Sequence, residues 1–421
     1  MRGGLNVCSM VTTAFCLYAA GTLASIAMNS AMTRTLCFGL ISGPLLFAAI
    51  TSVAATALDV GQIDHDRILK AANAALDEAP VTITAFHAKL SDGGPNDFYS
   101  NGDYWWPNPN TTNGLPYVQR DGQTNPDNFV AHRQAIRQLS DAVAALGAAY
   151  KITDDDKYAK KSADLLKVFF LDEATRMNPN LQYAQAIPGV SKGRGTGIID
   201  SLHLVEIPKA VEVMEKSPAF PKDVDKGLKK WFADYTEWIT TSKNGHDEAN
   251  AGNNHAVAFW LQVAVFAEFN NDEKNLAECR RRYKQIFVPV QMAKDGSFPK
   301  ELARTKPYGY SIFQLDNMAT LCQVLSTDGN DLWNFALPDG RSIHEAVEYM
   351  YPFLDDKSTW PLKPDVNAWE DWPARQPCLL FAGLAFEENK YIDLWKKLPA
   401  DPTNEEVRRN IAITQPVLWV K

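Results

Sequence analysis

From Asp127 onward the apolar residues recur with a spacing near 3.6, and this period constrains the fold more than any other feature of the sequence. Between Phe129 and Tyr150 it puts Ile136, Leu139, Val143 and Leu146 on one helical face. Tyr158 to Leu171 repeats the pattern with Leu165, Leu166, Phe169 and Phe170. The same reading predicts helices over 201–215, 223–241, 255–269, 272–292, 311–326, 343–353 and 376–387. Short connections containing Gly, Pro, Asn and Asp separate them, so neighbours are expected as antiparallel hairpins. Nothing reads as a run of alternating strands. An all-α domain of paired helices suits either an α/α toroid or an irregular helical array.

The chain has 421 residues, 46% of them hydrophobic, enough to bury a large core. Its net charge is −8, which leaves no basic footprint and argues against nucleic acid and against a polybasic membrane-surface protein. An anionic substrate would have to be met by a local cationic site. The charge is unevenly spread, because residues 1–57 carry only Arg2 and Arg34 and no acid. Removing those two from the 42 Lys plus Arg leaves 40 basic against 50 acidic side chains, a net of −10, and residues 58–421 hold all 11 Trp.

The leader contains two apolar stretches, Leu5 to Ala31 and Leu36 to Ala57, each about the length of a membrane span. The second follows Met32-Thr33-Arg34-Thr35, has an apolar centre and closes with Ala55-Thr56-Ala57, which is the layout of a secretory signal. We expect residues 1–57 to be a leader with Met32 as the true start, and 58–421 to be a single catalytic domain that is secreted or periplasmic. No stable membrane insertion is expected after signal cleavage; an uncleaved anchor is the alternative. Of the six cysteines, Cys8, Cys16 and Cys37 fall in the leader, leaving Cys279, Cys322 and Cys378. No pair has CxxC spacing, so neither zinc nor redox chemistry is indicated, and Cys322 reads as a buried helical thiol. One disulfide is allowed. No metal or cofactor is expected.

Three aromatic segments carry more than a connector needs: Asp97 to Trp106, Lys306 to Tyr310, and Trp360 to Trp372. Rigid scaffolds carry function on such loops, and Trp and Tyr stack on sugar faces. The bland alternative is that they plug the ends of the helical core.

The densest polar segment, His246 to His255, runs straight into the apolar helix Ala256 to Leu261. Asn253 or Asn254 is a good N-cap, and His255 in the first turn meets the positive end of the helix, which favours a neutral imidazole. Downstream, Arg304-Thr305-Lys306-Pro307-Tyr308-Gly309-Tyr310 leads into another helix. Arg304 offers a planar fork for a carboxylate, and with Lys306 and the helix dipole it can stabilise a tyrosinate at Tyr310. Its bland reading is a surface ion pair with Glu301. An amide, an imidazole, a guanidinium and a phenol suit β-elimination from a uronic acid. Taking a proton α to a carboxylate loads negative charge onto that group, so it must be neutralised before a base can act.

Asn253-Asn254-His255-Ala256, the Arg304 to Ser311 run, Leu315-Asp316-Asn317-Met318, Asp103-Tyr104-Trp105-Trp106-Pro107-Asn108-Pro109 and the Gly193-Arg194-Gly195-Thr196-Gly197 loop together resemble the helical alginate-lyase superfamily of polysaccharide lyases. The likeness is greatest to polysaccharide lyase family 38, which includes alginate and glucuronan lyases. The resemblance implies an (α/α) toroid, an incomplete α/α barrel, with a groove for an acidic polysaccharide. It implies metal-independent syn or anti elimination at a 1,4-linked uronate, giving unsaturated uronate ends. Asn254 and Arg304 match the carboxylate neutralisers, His255 the histidine partner or base, and Tyr310 the tyrosine that takes the α-proton or protonates the leaving oxygen. Tyr308 competes for the tyrosine role and, with Tyr104, Trp105, Trp106, Arg194 and Lys306, is a substrate-binding candidate. Two other classes compete: an α/α-toroid glycoside hydrolase with paired carboxylates drawn from Asp200, Asp247, Glu248, Glu370 and Asp371, and a non-catalytic glycan-binding protein.

Overall fold

The helices fall into two kinds according to where their apolar residues sit. In the computed structural model, which describes residues 58–420, Asn254–Phe269, Pro307–Leu325 and Pro377–Ala385 are buried on nearly every side, as is the second half of Ala131–Thr153. A helix without a polar face has nothing to give to water and must be enclosed. Asp156–Phe170, Lys222–Thr241, Ile343–Asp355 and Asn389–Lys397 instead bury one stripe and expose the other. With the mostly buried Glu206–Met214 and the mostly unburied Glu273–Arg282 set between them, the two kinds alternate along the chain. Asn254–Phe269 packs on Pro307–Leu325, which packs on Pro377–Ala385, while each also contacts an outer helix next to it in sequence. The outcome is an α/α toroid of antiparallel hairpins. The expected leader and signal over residues 1–57 lie outside the described residues, and among the described residues no helix is long and apolar enough to cross a membrane.

The N-terminal helix His65–Asp77 packs on Ala131–Thr153 and is tied to the C-terminal segment, because Arg67 donates to the Thr414 carbonyl at 3.1 Å. Arg375, ahead of the last inner helix, reaches Asp64 at 2.7 Å. The first and last helical segments of the described residues are thus tied together.

Three predicted helices differ in detail. The segment 201–215 is entered by a tight 3-10 run, Gly195–Val205, and becomes α-helical only over Glu206–Met214. The entry is cramped: a Cβ on Gly197 would stand 2.5 Å from that of Ala184. The segment 272–292 is an α-helix only over Glu273–Arg282; it then widens into π turns over Tyr283–Gln291, which contain Pro289, a residue with no N–H to give an α-helical ladder. Pro307–Leu325 starts four residues earlier than predicted, with Pro307 in the first turn, where its missing N–H costs nothing. Lys306 to Tyr310 is therefore a helix start and not a loop.

Two small sheets stand in the loops over the ring. Tyr99–Asn101 pairs in parallel with Tyr183–Ala186, and Trp105–Trp106 pairs antiparallel with Val118–Gln119. Cys279, Cys322 and Cys378 are all free and buried, so the allowed disulfide is not formed among them.

Candidate active site

A cavity of about 400 Å³ opens where the N-termini of Asn254–Phe269 and Pro307–Leu325 meet the Gly195–Val205 run and the loop around Asp121. Asn254, His255, Arg304 and Tyr310 all border it, together with Tyr104 and Arg194.

On one wall, Asn253 is the N-cap residue of its helix, yet its side chain makes no capping bond and lies at the cavity. Asn254 is buried and clamped by Glu301, which accepts from its backbone N–H at 2.9 Å and from its side-chain amide at 2.5 Å. Glu301 is thus not the partner of Arg304. Burial lifts the Glu301 carboxyl above its usual range against the lowering effect of the two Asn254 bonds. The His255 Nδ1 lies 2.6 Å from the Glu248 carboxylate. A carboxylate only accepts, so Nδ1 carries the proton and Nε2 is left as the free lone pair. Burial opposes charge on this imidazole, but the Glu248 charge and hydrogen bond outweigh it, so the pKa of His255 lies above 6.5 and not below it as the helix dipole suggests. A full charge in contact outweighs the half charge of a helix end.

Also at the cavity, Arg304 is held by Asp121, with Nη2 at 2.8 Å and Nε at 3.3 Å from the carboxylate. Its guanidinium lies 4.4 Å from the Tyr310 ring centroid, and Nη2 is 3.3 Å from the Tyr310 hydroxyl. That hydroxyl is 2.7 Å from the Tyr104 hydroxyl, which receives Lys306 Nζ and Arg409 Nη2, each at 2.9 Å. Burial and the neighbouring Tyr104 drive the Tyr310 pKa well above 10 in spite of Arg304 and Arg409. The resting group is consequently a neutral phenol, a proton donor, and the tyrosinate that Arg304, Lys306 and the dipole can stabilise is the form it takes on giving up that proton.

The floor is a network of fixed charges. Asp103 is shared by Arg133 and Arg409, each at 2.7 Å; burial favours its neutral form, but the two guanidinium groups hold its carboxyl well below the usual range. Asp200 receives Ser100 at 2.5 Å and Gln185 at 3.1 Å and lies 3.3 Å from Arg133. Gln185 sits in the left-handed region at φ 48°, unusual for a side chain of its size, and Arg194 donates to its side-chain oxygen at 2.7 Å and its carbonyl at 3.2 Å. That backbone geometry aims the Gln185 amide so that it links Arg194 to Asp200.

Several candidates are placed elsewhere. Tyr308 is buried, donates to the Phe353 carbonyl at 2.8 Å and packs edge-on to Trp360 and Trp369, so it is a core residue and no rival to Tyr310. Lys306 is buried too; it pairs with Glu406 and acts on the cavity through Tyr104 and through the Tyr310 ring, whose centroid lies 5.0 Å from Nζ. Trp105 and Trp106 are half-buried outside the cavity lining, and Arg120 stacks on Trp106. Trp360 and Trp372 are buried, as the plug reading expects. Of the hydrolase carboxylates, only Asp200 borders the cavity, and it is spent on three partners; Asp247 pairs with Lys243, and Glu370 is 90% exposed. Sequence reasoning missed Asp121, Arg409 and Glu301, whose partners lie 183, 305 and 47 residues away.

His344, Glu348 and Glu388 on the outer face approach within 4.8 Å, as metal ligands do, but Lys390 already pairs with both carboxylates at 2.5 and 2.9 Å. An ammonium fills that place.

The family model for alginate lyases matches residues 83–360. Among solved structures, an alginate lyase from Bacteroides ovatus aligns at 34% identity with a TM-score of 0.73, over 84% of this chain and 93% of that one. A histidine-to-alanine variant of alginate lyase A1-III complexed with a tetrasaccharide aligns at 14% identity with a TM-score of 0.51, over 84% and 94%. Alginate lyase A1-III from Sphingomonas species A1 aligns at 16% identity with a TM-score of 0.46, over 75% and 84%. No curated protein matches in sequence.

Proposed function

The chain belongs to the alginate lyase family and is a polysaccharide lyase; from that premise we propose that it cleaves a 1,4-linked polyuronate, alginate first, by metal-independent β-elimination outside the cytoplasm. The observation that carries the reading is the pairing of a base and an acid across one cavity. His255, with Nδ1 held by Glu248, has Nε2 as its base once the ring is unprotonated, and Tyr310 presents a protonated phenol beside Arg304.

In this mechanism Arg304 and the Asn253–Asn254 amides take the uronate carboxylate and lower the cost of charge on it. Nε2 of His255 removes the proton from the carbon α to that carboxylate. The electron pair forms a carbon–carbon double bond as the bond to the glycosidic oxygen breaks, and Tyr310 gives its proton to the leaving oxygen. Tyr104, carrying the donors of Lys306 and Arg409, stabilises the phenolate left behind. The proton on His255 then returns to Tyr310 through solvent, and both groups are reset.

Incubation with a panel of alginate blocks and glucuronan, followed in the ultraviolet, tests the proposal. Unsaturated products from at least one polymer are expected; reducing ends without a double bond, or no product across the panel, would reject it.

A further inference from the structure

The catalytic cavity shares part of its wall with a second one. Arg137 and His203 border both, and beyond them a chamber of about 420 Å³ reaches solvent beside Asp401, Thr403 and Arg408. Two of its arginines are structural: Arg67 and Arg375 grip Asp64 at 2.9 and 2.7 Å. The others have capacity to spare. Arg137 pairs with Glu405 through one nitrogen, while its buried Nε, like those of Arg67 and Arg375, has no acceptor. Arg408 gives one nitrogen to Asp141 at 3.0 Å and keeps 49% of its side chain exposed.

His203 is 7% exposed and its ring has no hydrogen-bond partner among the described residues. Burial and the two arginines hold its pKa down to about 3, so the ring is neutral and offers one donor and one acceptor. Arg408 and the neutral His203 ring line the chamber with hydrogen-bonding capacity that a ligand rich in acceptors takes up. Arg67, Arg137, Arg375 and Arg408 outnumber Asp141 and Asp401 in the lining, which suits an anion better than a cation, and an apolar ligand would leave these donors unmet.

We propose that this chamber is a uronate subsite in which Arg137 and Arg408 hold the carboxylate of one sugar unit and His203 bonds an adjacent hydroxyl. The proposal rests on the polyuronate reading above. A polyuronate carries one carboxylate per sugar, so a chain cut at Tyr310 and continuing past Arg137 presents further carboxylates to this chamber. Recognition then extends beyond the cleavage point, and affinity depends on chain length.

The test compares wild type with Arg408→Gln and Arg408→Lys on saturated oligouronates of increasing length. The ratio of KM in Arg408→Gln to that in wild type is expected to step up by about tenfold or more at the length that first reaches the chamber, as loss of a charged hydrogen bond implies. Arg408→Lys should recover part of it, and an unchanged melting temperature confirms the fold. A ratio flat with length overturns the proposal. Calorimetry with a monouronate separates two sources of the carboxylate: binding weakened in Arg408→Gln adds released product as an occupant, and no binding alongside the length step assigns the chamber to the chain being cut. If wild type cleaves no polyuronate, the functional reading fails, and the chamber is judged by calorimetry alone. Monouronate binding weakened in Arg408→Gln then supports it, and equal or absent binding rejects it.

Discussion

Glu248→Gln tests the assignment of His255 as the base because it changes charge and almost nothing else. Glu248 is 3% exposed, and glutamine matches its size, so packing is kept. What goes is a carboxylate 2.6 Å from Nδ1. A hydrogen bond to a charged group contributes about 1.5–3 kcal/mol, which on a rate is about 10–150-fold. A second consequence is specific to this pair. The carboxylate forces the proton onto Nδ1, whereas an amide can present either its oxygen or its NH2, so part of the population turns Nε2 into a donor that cannot take a proton. The pH profile separates these effects from simple damage. The base must be neutral, so kcat/KM in wild type should fall as pH drops through the raised pKa of His255, above 6.5. Without the Glu248 charge, burial is left as the dominant influence and lowers that pKa, so the acid limb should move to lower pH even as the plateau falls. The assay is initial-rate ultraviolet detection of unsaturated ends between about pH 4 and 9, the range over which an imidazole titrates, with melting temperature as the control. An acid limb that stays in place in a folded Glu248→Gln variant would refute the dyad.

Tyr310→Phe should lower kcat/KM by about 10²–10⁴-fold with an unchanged melting temperature, since it removes an acid and leaves the ring; Tyr308→Phe should leave turnover intact and cost about 1 kcal/mol for its bond to the Phe353 carbonyl, read by denaturant titration. Lys306→Met removes one of the two cations on the buried Glu406, which keeps Arg409 at 3.0 Å, so unfolding should be easier by about 1.5–3 kcal/mol in a denaturant titration. Gly245→Ala would place a Cβ 1.6 Å from the Ile239 carbonyl, so the backbone that carries Glu248 must shift; soluble yield and melting temperature should both drop by more than a typical substitution causes, about 1 kcal/mol. Asp121→Asn releases Arg304 from its carboxylate partner, so KM should fall while kcat also falls through lost orientation, as steady-state kinetics would show.

The legible part of this molecule is what a period can carry. A spacing near 3.6 gave the helices, and the absence of a polar face on 254–269 and 307–325 marks them as inner before any packing is known. The same period resolves Tyr308 from Tyr310 once the helix is known to begin at Pro307. Two residues apart is about 200° around the axis, so one phenol faces the Trp360 core and the other faces the cavity. Placing the helix start at Ser311 hid that distinction. The His255 protonation error has a similar origin, because the dipole is visible in sequence while the contact with Glu248 depends on the turn between two helices. Asp121 and Arg409 are illegible in principle: each meets its partner across the ring from a distant segment, and no local pattern marks a side chain for a contact of that kind.

A chain with a net charge of −8 for which a polyanionic substrate is proposed needs an account of attraction. The cavity supplies it locally, since its lining holds Arg133, Arg137, Arg194, Arg304 and Arg409 against Asp103, Asp121 and Asp200. The acids do not simply cancel the arginines. Asp103 and Asp121 fix Arg409 and Arg304 in place, so that forks meant for a carboxylate lose little freedom when the carboxylate arrives. Long-range attraction is weak for such a protein, and a chain entering the cavity must outcompete Asp121 for Arg304 before it is held. Binding set up in this way favours a substrate that brings several carboxylates in series over one that brings a single charge.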